Sequence, residues 1–153
     1  RGFGDIFSFV FFGPVPVVGT YFLHTQELNF FPWLPAIGLG LLSAAVLNTN
    51  NMRDLDNDKN SGKITIPVRL GLANAKKYHA FLIIGTLLCF VGFNMIYLSA
   101  WYQCLYLIVF IAFLKILTDV FRTTDNRALD TYLKYTSMST FFLSLLFVIC
   151  INL

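Results

Sequence analysis

Five apolar stretches, at residues 6–23, 30–47, 78–100, 101–118 and 135–153, leave this chain little choice of fold. Crossing about 30 Å of hydrocarbon takes about 20 helical residues, and each stretch is near that length. Inside a bilayer every backbone N–H and C=O must be satisfied within the spanning element, so runs of this kind become α-helices. The expected class is all-α, a multi-pass transmembrane helical bundle with five spans. Composition agrees, with 57% hydrophobic and 12% charged residues against about 25% charged in soluble domains, and a mean hydropathy of +0.69. The lipid bilayer is thus the first partner. A net charge of +3 without a basic stripe gives no footing for nucleic acid.

The polar connections alternate in charge. Arg53, Lys59, Lys63, Arg69, Lys76 and Lys77 crowd the second connection, and Arg122, Arg127 and Lys134 occupy the fourth, while the first and third carry no Lys or Arg. Basic residues mark cytoplasmic connections, which puts both basic segments and Arg1 on the cytoplasmic side and Leu153 outside. Pro14 and Pro16 predict a bend in the first helix. Ala36, Gly40, Ala44 and Asn48 recur every four residues, the small-residue pattern that lets membrane helices approach closely. Cys89, Cys104 and Cys150 lie in apolar stretches without paired spacing or a nearby His, and read as small buried side chains.

The densest polar run, residues 48–63, sits where the second apolar stretch ends. Continued as a helix at about 100° per residue, it places Asn50, Asn51, Asp54 and Asp58 in one sector and leaves Arg53 and Asp56 outside it. Carboxylates one turn apart, roughly 6 Å along the axis, can share a divalent cation and the phosphate oxygens it carries. Hard oxygen donors of this kind suit magnesium, with Arg53, Lys63 and Arg69 available for anionic charge the metal leaves unneutralised. The plainer reading is a solvated loop whose acids balance its bases. A calcium-binding EF-hand is excluded, since its sixth and twelfth positions, Gly and Glu, are here Lys59 and Thr65. Elsewhere, Lys115 and Asp119 read as a structural pair, Asn94 as an interhelical hydrogen-bonder, and His24 and His79 as interfacial. Asp5 stays open as a site residue.

The run Asn50-Asn51-Met52-Arg53-Asp54-x-x-x-Asp58-x-x-x-Gly62-Lys63-x-Thr65-x-x-Val68-Arg69-Leu70-Gly71 resembles the second aspartate-rich motif of the UbiA-type intramembrane prenyltransferases. Its Asn-Asn-x-Arg-Asp form is most similar to the 1,4-dihydroxy-2-naphthoate polyprenyltransferases of menaquinone synthesis. Gly2-x-Gly4-Asp5, Phe11-Phe12-Gly13 and Asn74-Ala75-x-x-Tyr78-His79 extend the likeness. The resemblance implies a nine-helix fold with two aspartate-rich motifs around a cavity open to the bilayer, in a bacterial inner membrane. It implies magnesium held by Asp54 and Asp58. Arg53, Lys63 and Arg69 would grip the polyprenyl diphosphate, Lys63 also acting in catalysis, and Asn50 and Asn51 would orient ligands. The acceptor would be 1,4-dihydroxy-2-naphthoate.

Nothing before Asp54 resembles the first motif. The chain begins with Arg1 and has no basic leader or cleavage site. Residues 1–153 are therefore expected to be the C-terminal part of one prenyltransferase domain, with a motif loop at 48–77, needing an N-terminal half that carries the first motif, and inactive alone. Two alternatives stand beside this one. One is the same family with another acceptor, such as 4-hydroxybenzoate, homogentisate or a porphyrin. The other is a non-enzymatic membrane subunit or transporter piece, in which polar groups would sit near mid-span.

Overall fold

The computed structural model describes residues 2–97 and 100–153. Among them every regular element is helical: α1 (Gly4–Phe12), α2 (Pro14–Thr25), α3 (Trp33–Arg53), α4 (Leu55–Asn60), α5 (Ile66–Leu70), α6 (Leu72–Tyr97), a 3-10 helix (Trp101–Ile108), α7 (Val109–Arg122) and α8 (Leu129–Ile151). Among the described residues four stretches are long and apolar enough to cross a membrane: Gly4–Thr25, Leu72–Tyr97, Trp101–Arg122 and Leu129–Ile151. The chain is a multi-pass membrane protein. The expected second span is α3, which is 21 residues long and carries Asn48, Thr49, Asn50 and Asn51 before its closing Arg53. It is the central helix, packed against α1, α2, α6 and α8.

The bend expected in the first span is present, but Gly13 makes it. Its φ of −118° and ψ of −95° end α1, and Pro14 then opens α2 at the position where its missing N–H costs nothing. The site is also a close crossing. A Cβ on Gly13 would lie 2.5 Å from the Ala36 carbonyl oxygen and 2.6 Å from the Gly40 Cα, so the stripe of small residues does bring α3 against the first span. Ala36, Ala44 and Asn48 are buried along it. Ser8 and Ser43 hydrogen-bond across the α1–α3 contact at 2.7 Å. On the other face of α3, the Thr86 hydroxyl donates to the Gly38 carbonyl at 3.2 Å.

The core lies between α3, α6, the 3-10 helix, α7 and α8, and is aromatic: Phe90, Phe93, Tyr106, Phe110, Phe113 and Phe147 are all buried. Asn94 joins α6 to the 3-10 helix by accepting from the Tyr106 hydroxyl, the interhelical role the sequence suggested. The cysteines are unpaired, with Cys150 buried. Two expectations fail. His79 is fully buried rather than interfacial, with Nδ1 3.5 Å from the Thr49 hydroxyl. Lys115 and Asp119 form no ion pair among the described residues; both line an open groove between α7 and α8 instead.

Candidate functional site

Antiparallel packing gathers the end of α3, all of α4 and α5, and the connection between α7 and α8 at one end of the bundle. The polar run folds there as two helices with a joint at Asp54, whose φ of −91° and ψ of 11° depart from the helical values. The hydrogen-bond ladder nonetheless crosses the joint. Asp54 N–H donates to the Asn50 carbonyl at 3.0 Å and Asp58 N–H to the Asp54 carbonyl at 2.8 Å. Asn50, Asp54 and Asp58 thus keep the one-turn spacing read from the sequence.

A turn then folds the chain back over Asp58. The Ser61 hydroxyl and the Lys63 N–H both donate to the Asp58 carbonyl, at 3.1 and 2.9 Å, and Gly62 takes the left-handed φ of 71° that this reversal requires. Lys63 Nζ lands 3.1 and 3.2 Å from the two Asp58 carboxylate oxygens. The Asp58 side chain is 9% exposed and that of Lys63 55%, so a buried acid is paired with a base that stays open to solvent. Thr65 caps α5 by accepting from the Val68 N–H at 3.4 Å.

Arg53, outside the sector, turns out to organise one side of the site. Its Nε and Nη2 donate to the two Asp54 oxygens, each at 2.8 Å, Nη2 also donates to Asn50 Oδ1 at 2.9 Å, and Nη1 reaches Asp130 Oδ1 on α8 at 2.9 Å. Four guanidinium donations are therefore satisfied within the protein. The forked contact holds the Asp54 carboxyl below the usual carboxylate range, against a partial desolvation that acts the other way, and the Lys63 charge adds to the lowering. Asp56 faces α8's approach, accepting from Asn126 Nδ2 at 3.3 Å. Between these groups lies a cleft of about 540 Å³ lined by Arg53, Asp54, Asp56, Asp125, Arg127 and Asp130 among others.

The remaining residues lie on the opposite side of the motif. Asn51, Lys63 and Thr65 line a smaller cleft of about 150 Å³ with Asp5 and Gly2, and Arg69 approaches from α5, its Nη1 3.6 Å from where a Gly2 Cβ would stand. The structure thus brings together Asn50, Arg53 and Asp54 on one side and Asn51 and Lys63 on the other, with Asp58 tied to the second group through Lys63. Sequence reasoning missed Asn126 and Asp130. Arg127 and Lys134 were read there only as topology markers, and the sole further signal was Asp130 four residues before Lys134, a pair 3.5 Å apart in the structure.

No group of three or more acidic, His or Cys side chains poised to hold a metal occurs among the described residues. Magnesium keeps most of its waters and takes one or two carboxylates, so two acids one turn apart could hold it without a larger cluster. Asp54 and Asp58 are the two acids so spaced, and each is balanced by a cation, Arg53 and Lys63 respectively.

The chain is 40% identical over 152 residues to the 1,4-dihydroxy-2-naphthoate octaprenyltransferase of Escherichia coli (strain K12), covering 99% of this chain and 49% of the relative. It is 37% identical over 146 residues to the protein of the same name from Haemophilus influenzae, covering 95% of this chain and 47% of the relative. A shorter similarity, 35% over 68 residues, links it to UbiA prenyltransferase domain-containing protein 1 of Homo sapiens, covering 44% of this chain and 20% of that protein. The chain spans about half the length of the two bacterial relatives. No solved structure matches it. The UbiA prenyltransferase family model matches residues 1–146, and with it the helical bundle and its aspartate motif have a common explanation: the chain belongs to the UbiA prenyltransferase family.

Proposed function

We propose that the complete protein transfers a polyprenyl group from polyprenyl diphosphate to 1,4-dihydroxy-2-naphthoate, releasing diphosphate and carbon dioxide, as a step in menaquinone synthesis. The observation that carries this reading is the 40% identity to the Escherichia coli octaprenyltransferase across 99% of the chain.

The residues suit the chemistry. An allylic diphosphate ionises only if the charge building on its leaving group is neutralised in a site of low dielectric. Magnesium, when bound, neutralises that charge at Asp54 and Asp58. Lys63, exposed and paired with Asp58, would meet a diphosphate oxygen by exchanging that ion pair for a ligand one. Arg69 stands on the same side. Arg53 holds the Asp54 carboxylate in place through its fork and its tie to Asp130, and has a remaining N–H for an anion at the rim. Asn50 and Asn51 orient ligands on the two sides of the motif. The apolar helices below exclude water, which would otherwise quench the allylic cation before the electron-rich ring attacks.

The protein sits in a bacterial inner membrane with α3 as a fifth span, the motif segment cytoplasmic and Leu153 outside, in keeping with the Lys and Arg placement. The 153-residue piece alone is inactive, because the first aspartate-rich motif belongs to an N-terminal half. Incubating the complete protein in vesicles with radiolabelled polyprenyl diphosphate and a panel of 1,4-dihydroxy-2-naphthoate, 4-hydroxybenzoate and homogentisate tests the reading. Label should enter the naphthoate product in a magnesium-dependent manner. Preference for a benzenoid acid would reassign the acceptor, and transfer to none would remove the enzymatic reading.

A further inference from the structure

Asp5 is the one buried acid at the motif end with a carboxylate oxygen, Oδ1, that has no hydrogen-bond partner among the described residues. It lies in the first turn of α1 and is 4% exposed, and its Oδ1 receives no hydrogen bond. The other buried acid, Asp58, has Lys63 on both its oxygens. Leaving an ionised oxygen buried and unpaired is costly, so a position of this kind is kept where a donor arrives from elsewhere. The orphaned oxygen belongs to a side chain that lines the cleft shared by Asn51, Lys63 and Thr65.

We propose that Asp5 binds the aromatic acceptor, its Oδ1 accepting a hydrogen bond from the acceptor's hydroxyl. This rests on the prenyl-transfer reading above. Of the reactants, the polyprenyl diphosphate is an anion on an apolar tail, with no donor to offer and a charge that a carboxylate repels. A dihydroxynaphthoate brings two O–H donors. The hydroxyl beside its carboxylate is occupied by an internal hydrogen bond, so the hydroxyl on the far side of the ring is the one free to meet Asp5. A hydrogen bond to a carboxylate raises the electron density of the phenol ring, which favours attack on an allylic cation. Asn51 lines the same cleft and offers an amide donor to the acceptor's own carboxylate. Asp5 thus places the ring between α1 and the motif, next to the groups that handle the diphosphate.

The test uses the complete protein in vesicles, with Asp5→Asn and Asp5→Ala, and compares 1,4-dihydroxy-2-naphthoate with its two monomethyl ethers. With wild type, methylation of the hydroxyl remote from the carboxylate should raise the acceptor KM about tenfold to a hundredfold, the range of a charged hydrogen bond. Asp5→Ala should raise the acceptor KM by the same factor and Asp5→Asn by less, and both should abolish discrimination against that ether. The KM for polyprenyl diphosphate and the magnesium concentration giving half-maximal rate should stay within about twofold, the scatter expected when no interaction energy is lost. Wild type accepting both ethers as readily as the parent acid would overturn the inference, even if neither variant folds. So would variants in which both KM values, or the magnesium requirement, move together, which would make Asp5 a metal ligand or a packing residue. Prenylation of the naphthoate by both Asp5 variants with the wild-type acceptor KM sinks this assignment alone. Wild type that prenylates no hydroxyaromatic acid sinks the functional reading and this inference with it.

Discussion

At one end of the bundle Phe90, Tyr106 and Phe147 meet with ring centroids 5.1 to 5.6 Å apart, steeply tilted and buried. At the other, Arg53 ties α3 to α8 through charged hydrogen bonds, and the Arg53, Asp54 and Asp130 side chains are 27%, 30% and 47% exposed. The first end is held by shape. Its groups gain only when all surfaces fit, and losing one ring leaves a void that neighbours cannot fill. The second is held by charges in partial contact with water, whose net contribution to stability is small because solvent screens each pair. What the polar end gains is alignment: the carboxylates and the cations beside them are held in fixed relation while remaining reachable. A bundle divided in this way can keep its fold while its site exchanges protein ion pairs for ligand ones.

Substitutions at the two ends should therefore separate stability from turnover. Phe90→Ala should cost about 3–5 kcal/mol of stability, read as a lowered unfolding midpoint of the complete protein in detergent, with the KM values of the surviving fraction unchanged. Gly13→Ala, also remote from the motif, should cost about 1–3 kcal/mol by forcing the first span off α3, where the added methyl meets the Ala36 carbonyl. Asp130→Asn should reverse the pattern. It should lower kcat/KM about tenfold, or about 1.4 kcal/mol, by freeing Arg53, and shift the unfolding midpoint by no more than an exposed ion pair allows. A large loss of stability in Asp130→Asn, or of turnover without unfolding in Phe90→Ala, would break the comparison.

The smallest effect concerns pH. Arg53 depresses the folded-state pKa of Asp54, so the pair stabilises the fold above the unfolded carboxyl value of about 3.9 and loses that contribution as pH falls through the lower folded value. The stability difference between wild type and Asp54→Asn should stay constant from pH 5 to 8, remain below about 1 kcal/mol, and shrink only at more acid pH. A difference that varies near neutrality would place Asp54 in another environment.

Much of this was legible in the sequence, because two periodicities carry it. Apolar length located the helices, and the four-residue spacing of Ala36, Gly40, Ala44 and Asn48 identified the close face of α3. The one-turn spacing of Asn50, Asp54 and Asp58 survived the joint between α3 and α4 because the backbone ladder crosses it. Long-range pairings were not legible. Arg53 and Asp130 are 77 positions apart and Asp56 and Asn126 are 70 apart, distances no local pattern encodes. Helical phase placed Asn51 with Asp54, yet the structure turns it toward Asp5, since α1 packs against that side of α3. The burial of His79 was hidden too: its place near the start of α6 suggests an interface, but α3 covers it through Thr49.

On the proposed function the motif's acids serve the reaction, and their order along the helix determines which of them matter. Alanine at Asp54, at Asp56 and at Asp58 in the complete protein, each assayed for magnesium-dependent prenyl transfer beside an unfolding curve, addresses it most directly. Asp54→Ala and Asp58→Ala should each lower the rate by at least about 10²–10³-fold, the scale for losing one electrostatic group at a reacting centre, while Asp56→Ala is milder and all three remain folded. Equal tolerance of the three substitutions would contradict the account.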